Sequence, residues 1–233
     1  LNPNDVPRNS DGRALIGDPR NDENIFVSQL QLLFLRFHNR RIVGRSFEEA
    51  QQDCRYHYQW LVLKDLLPAF VDEKVIHETL KHDPFHHKGP IMPAEFSGAA
   101  YRFGHATVQA KYRLKKGGNH VDLFKMLGFS PRDPGSDIEM AQFFDVPGSQ
   151  AQKALPVGIK MASTLFKLPD NIVGGGLKWG DLEISKANAK KLALRNILRD
   201  RTALQLPSGQ QVARKLGCKE VKVPDILKKH HIT

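Results

Sequence analysis

The feature that most restricts the fold is the return of apolar residues at helical intervals, in a chain where few stretches alternate with period two. In ENIFVSQLQLLFLRFHNRRIVG the residues Ile25, Leu30, Leu33, Phe34, Phe37 and Val43 approximate helical spacing. Asp22 or Asn21 can cap the start of that helix and Gly44 can end it. SFEEAQQDCRYHYQWLVLKDLLPAF carries a second helical pattern, interrupted by Pro68. A third helix is expected over AEFSGAAYRFGHATVQAKYRL, residues 94–114, with the small residues Ser97, Gly98, Ala99 and Ala100 on its first turns. Residues 1–24, 81–93 and 116–160 are rich in Gly, Pro, Asn and Asp and read as loops. Short helical pieces are expected around 121–127 and 137–144. A helix over roughly 185–201, the turn LPSG and a last helix from about Gln210 complete the chain. The prediction is a mainly α fold with long loops, without internal repeats or a low-complexity linker.

Composition narrows the function classes. Hydrophobic residues make up 40% of the 233, ordinary globular usage. No apolar run approaches the length of a membrane span, and the opening LNPNDVPRNS is not a signal peptide. A first residue that is Leu, and a last segment KKHHIT just after a predicted helix, lead to the expectation of a piece of something longer. Thirty-five Lys plus Arg against 25 Asp plus Glu give a net charge of +10. Those cations are spread along the chain without an aromatic-interleaved basic stripe, so nucleic acid is not an expected partner. Cys54 and Cys218 cannot form a zinc cluster alone, and nothing in their spacing calls for a disulfide.

Three constellations carry chemistry. In Tyr101-Arg102-Phe103-Gly104-His105 a helix would put Arg102 and His105 on one face, with small residues upstream letting a flat group approach the backbone. A neutral imidazole suits haem iron, and an adjacent Arg suits a propionate. In Leu194-Arg195-Asn196-Ile197-Leu198-Arg199, Asn196 and Arg199 share a face. An Asn carbonyl can accept the second N–H of a metal-bound imidazole. In Gly17-Asp18-Pro19-Arg20-Asn21-Asp22-Glu23, Arg20 offers a fixed positive charge that could polarise a peroxide, with Glu23 one turn on. Each pattern alone reads most simply as a solvated helix face or a capped loop.

The three together, in order, resemble the animal-type (myeloperoxidase-like) haem peroxidases, and the resemblance covers most of the chain. GDPRNDENIFVSQLQLLFLRFHNR is similar to their Gly-Asp-x-Arg-x-x-Glu segment and the helix ending in His-Asn-Arg. FSGAAYRFGHATV resembles their proximal-ligand helix, LALRNILRDRTALQLPSGQ the helix with the motif Asn and Arg, and RYHYQWLVLKDLLP also fits. LPSGQ, where mammalian enzymes have Arg-Asp-His-Gly, resembles bacterial members. The resemblance implies a haem-peroxidase-type helical fold, incomplete at both ends, as one partial domain over residues 1–233. It implies a haem b, with His105 as iron ligand, Asn196 as its hydrogen-bond partner, and Arg102 and Arg199 at propionates. Arg20 would be the distal catalytic arginine, and Glu23 stands where mammalian members form an ester to the haem. Asn24 replaces a methionine that one mammalian member links to a haem vinyl. Hydrogen peroxide and a small reductant or halide would be the substrates, and an extracellular setting follows by analogy.

The distal His, its neighbouring Asp and the calcium loop of such enzymes precede the Gly-Asp-x-Arg segment. Only sixteen residues precede Gly17 here, and none is His. The resemblance therefore places the calcium site of a full-length parent outside this chain, and implies that this stretch alone binds haem poorly and catalyses little. A fatty-acid dioxygenase of the same superfamily would need a Tyr three residues before His105, where Arg102 stands. Tyr101, on a regular helix, points roughly 100° away from that face. A non-catalytic metal-binding module on His77, His82, His86 and His87, or a helical interaction domain that has lost its chemistry, are the readings from other classes.

Overall fold

The computed structural model describes residues 2–82, 91–173, 177–179 and 181–229. About half of the chain is helical, and the mainly α expectation holds. It packs as two compact units, one of Leu1–Leu80 with Thr107–Pro156, the other of Lys81–Ala106 with Val157–Thr233.

The first unit is organised around helix α1 (Ile25–Arg41). Its cap is Asn24, not Asp22 or Asn21: the Asn24 side-chain oxygen accepts from the N–H groups of Phe26 and Val27, both at 3.0 Å. The buried face of α1 also differs from the expected one. Ile25, Ser28, Gln29 and Leu32 are inside, while Leu30 and Leu33 are exposed and Val43, beyond the helix end, is 80% exposed. The cause is a polar anchor. The Ile138 N–H donates to Gln29 Oε1 at 2.6 Å, and this backbone group would otherwise be buried without an acceptor. A count of apolar residues cannot register that.

Helix α2 (Phe47–Leu61) starts on a capping box between Ser46 and Glu49. It runs on through a π turn at Val62–Leu66 and a 3-10 turn at Leu67–Ala69, so Pro68 is absorbed by a change of helix type. Helix α3 (Glu73–Lys81) follows. Edge-on ring pairs join α1 to α2: Phe34 with Tyr58 at 5.4 Å and Phe37 with His57 at 4.9 Å. Asp53 completes the seam by pairing with Arg41 and Arg45.

The core of this unit is Ile25, Leu114, Met126 and Ile138, with Phe26, Tyr112 and Phe143 packed against them. Tyr112 belongs to strand β1 (Lys111–Arg113), paired antiparallel with β2 (His120–Asp122) so that Tyr112 faces Val121. This hairpin replaces the C-terminal part of the helix expected over 94–114. Gln152 fixes it there, its Oε1 accepting from the Arg113 N–H and its Nε2 donating to the Arg113 carbonyl, both at 2.7 Å. The 3-10 turns Leu123–Lys125 and Met140–Gln142 stand where short helical pieces were expected.

The N-terminal segment is irregular, as expected, but pinned. The Arg8 guanidinium spans both oxygens of Asp22, at 2.7 and 2.8 Å, and donates to Asp5 at 2.7 Å. The Arg8 and Asp22 side chains are only 7% and 4% exposed. Arg132, 2% exposed at its side chain, lies 3.3 Å from Asp137, which also accepts from Asn2 and Asn4. Burial would push the Asp5 carboxyl up, but hydrogen bonds from Arg8 and from the Arg132 backbone N–H outweigh it and hold it below 3.8. Asp137 is held below the same value against its own burial, by Asn2, Asn4 and Arg132.

In the second unit, the rest of the expected 94–114 helix is broken into α4 (Ala94–Gly98), a 3-10 turn at Ala100–Phe103 and α5 (Gly104–Thr107), whose last residue belongs to the first unit. Ala99, at φ −129° and ψ −69°, makes the break. Helix α6 (Asp170–Val173), the hairpin of β3 (Leu177–Trp179) and β4 (Leu182–Ile184), α7 (Lys186–Ala189), α8 (Leu192–Arg199), α9 (Gly209–Lys215) and α10 (Asp225–Lys228) complete it. Its buried apolar residues among those described are Ala106, Leu165, Leu168, Val173, Ile184 and Ala189. The helix expected over 185–201 is split because the Lys190 carbonyl accepts from Leu168 N–H, at 3.0 Å, rather than continuing a ladder. The Ser208 capping box starts α9 where the last helix was expected. Cys54 and Cys218 are free thiols.

Removing Arg8 would leave two carboxylates buried without their cation. Arg8→Ala should therefore lower the unfolding free energy by about 3–5 kcal/mol in urea titrations at neutral pH. Because the Asp5 and Asp137 carboxyls are held low, their contribution is complete above their ordinary range and is lost as pH falls through it. Wild-type stability should decline below about pH 4, and the Arg8→Ala variant should show a shallower decline. Equal stability of the two proteins at pH 7 would contradict this role.

Candidate active site

Arg20 and Glu23 lie on one loop of the first unit. Asp18 caps a 3-10 turn, Pro19–Asp22, by accepting from the Arg20 backbone N–H at 2.9 Å, with Pro19 at its first position. The loop's shape is set by a distant segment. Ile25 N–H donates to the Met126 carbonyl at 3.1 Å, Gly128 N–H to the Glu23 carbonyl at 2.9 Å, and Phe129 N–H to the Asp22 carbonyl at 2.8 Å. Gly128 approaches so closely that a Cβ there would lie 1.8 Å from the Asp22 carbonyl oxygen. With Arg8 holding Asp22 from the other side, the backbone from 22 to 25 is clamped.

The Arg20 and Glu23 side chains on this loop face outward. Arg20 is 84% exposed, and its guanidinium meets Asp18 through Nε at 3.0 Å and Nη2 at 2.6 Å. Hydrogen bonds from Arg20 pull the Asp18 carboxyl down to about 2. Glu23 is exposed as well.

The second unit holds the other residues expected from the sequence. His105 is half-buried on α5, with its Nδ1 atom shielded from solvent. Arg102 is half-buried on the preceding 3-10 turn and donates from Nε to the Ser97 carbonyl at 3.1 Å. The two stand on consecutive turns of different helix type, not on one regular helix. Hence the angle derived above for Tyr101 on a regular helix does not apply. Tyr101 is exposed and lies against Phe96, with ring centres 5.2 Å apart, and Phe103. Asn196 is half-buried on α8, of which Arg199 is the last residue. The space left by Gly98 is filled within the unit: a Cβ there would lie 2.7 Å from Leu204 and 3.1 Å from Leu206.

A sequence profile of the animal haem peroxidases matches residues 2–230, nearly the whole chain. The chain belongs to that family. Its fold is of the mainly α kind expected for this peroxidase family. Among curated relatives, the chorion peroxidase of Drosophila melanogaster is 28% identical over 126 residues, covering 46% of this chain and 16% of that protein. The chorion peroxidase of Aedes aegypti is 27% identical over 168 residues, covering 61% and 21% respectively. The chain thus spans about a fifth of the length of these relatives or less. No solved structure matches.

The family's description names haem as its cofactor. The side chains of the second unit suit that group in kind: a half-buried imidazole with one ring nitrogen sealed, an amide, a guanidinium, and the exposed rings of Phe96, Tyr101 and Phe103. Among the described residues no three His, Cys, Asp or Glu side chains cluster to hold a bare metal ion. Of the histidines considered for such a cluster, His77 and His82 are described, whereas His86 and His87 lie outside the described residues. No helix among the described residues is long and apolar enough to cross a membrane.

The clamp residues Gly128 and Arg8 were not legible as partners of the Arg20 loop, because their contacts cross more than 100 residues or run through a segment read as loop. Gly128→Ala must displace backbone rather than a flexible side-chain tip. It should cost at least about 3 kcal/mol of stability, read by chemical denaturation. An unchanged midpoint would show that the loop is not clamped there.

Proposed function

We propose that this chain carries the haem-binding part of a peroxidase that reduces hydrogen peroxide and oxidises an organic donor or a halide. The observation that carries the reading is the family match over residues 2–230, read together with the family motif residues at Arg20, His105 and Asn196. Haem, when bound, supplies the redox chemistry that peroxide reduction needs. His105 would hold the haem iron, for which an imidazole is suited. Asn196 accepts a hydrogen bond from the other ring nitrogen and so orients the imidazole. Arg102 would pair with a propionate, as would Arg199, whose side chain lies outside the described residues. Glu23 is the candidate for ester attachment. Arg20 is cationic at every working pH, and Asp18 raises its pKa further. Its role is to stabilise negative charge on the peroxide oxygens as they separate. In this reading residues 1–233 belong to one partial haem peroxidase domain.

With excess ferric haem, the Soret band given by the purified chain, expected to be weak for this stretch alone, should be abolished or strongly shifted by His105→Ala. Superimposable spectra of wild type and variant would show that His105 does not hold the haem. Arg20→Ala should leave the band in place and slow peroxide-dependent dye oxidation roughly 100-fold. A loss of less than about twofold would take Arg20 out of the reaction.

A further inference from the structure

A cavity of about 600 Å³ lies within the first unit; none of the residues assigned above to haem or peroxide lines it, and Thr107 in its wall is two residues from His105. Its volume is in the range that holds small organic ligands. Tyr112, Phe143 and Phe144 contribute aromatic rings to its wall. Two of these rings are fixed in place by Phe26, which meets Tyr112 at 5.3 Å and Phe143 at 4.6 Å, both edge-on. Two carboxylates and one ammonium also line it: Asp65, Asp145 and Lys153. Lys153 is committed to Asp145 at 2.8 Å. Asp65 has no ion-pair or hydrogen-bond partner among the described residues. It is also carried on the π turn Val62–Leu66, a rare helix form concentrated at functional positions.

One carboxylate without an ion-pair partner among the described residues, beside three aromatic rings, selects for positive charge attached to an aromatic body. The carboxylate repels anions, and the rings attract a cation electrostatically while burying apolar surface. A bare metal ion fits poorly, since no cluster of three ligating side chains exists among the described residues. We propose that this cavity binds a small aromatic ammonium ion, its ammonium group on Asp65 and its ring against Phe143 and Phe144. The proposal stands independently of haem binding.

The test is calorimetric titration of the full 233-residue chain with phenethylammonium, with 3-phenylpropionate as the charge-reversed control. Saturable one-to-one binding of the ammonium compound is expected, with none of the carboxylate. Asp65→Asn and Phe144→Leu should each weaken binding roughly tenfold. Asp65 supports no other side chain and Phe144 is exposed, so both variants should keep the wild-type circular dichroism. Arg20→Ala should bind as wild type does. Equal binding of the two compounds, undiminished binding by Asp65→Asn, or no saturation up to roughly 10 mM would each overturn the proposal.

Discussion

The buried pairing of Arg8 with Asp22 and Asp5 is the interaction on which the first unit depends. Two carboxylates and a guanidinium are withdrawn from water together, which is tolerable only because the donors and acceptors match in number and direction. Asp22 is the last residue of the turn that carries Arg20 and lies two residues before the cap of α1. The pair thus ties the irregular N-terminal segment to the start of the longest helix. Arg132 and Asp137 extend the same principle, joining the segment around Asn2 and Asn4 to the loop that feeds Ile138 into the core. A region without regular secondary structure is held in this way by charge rather than by a ladder.

Much of the helical layout was legible, and the failures have identifiable causes. The capping boxes at Ser46 and Ser208 are local in sequence, so α2 and α9 begin where their residues say. The long helix expected over 94–114 failed because small residues and mixed apolar spacing suit several backbones. Tyr112 chose a strand by docking on Phe26 and Phe143. A signal for that hairpin was present: Gly117-Gly118-Asn119 after Tyr-Arg-Leu is turn chemistry between two strand-compatible stretches. The inward face of α1 was misjudged for the opposite reason. Gln29 is polar by composition but buried by partnership with Ile138.

The candidate site was legible in a different sense. Its side chains could be named from the family motifs, since the motifs are local and ordered along the chain. What surrounds them could not. That Arg20 would bind Asp18 two residues away was within reach of the sequence, yet the exposure of that pair was not. The exposure bears on chemistry. Water screens the attraction between the two charges, so Asp18 holds the guanidinium's direction with little energetic commitment. An anion presented in drier surroundings would draw on Arg20 more strongly than Asp18 does.

The clamp on residues 22 to 25 acts through backbone carbonyls and amides almost alone. Glu23 gives its carbonyl to Gly128 while its side chain stays in solvent, and Arg20 takes no part in the clamp. Shape and chemistry are thereby separated in this loop. The amino acids at positions 20 and 23 can be exchanged without altering the path of the chain. A lineage built on this scaffold is therefore free to revise its reagents while inheriting the same mould.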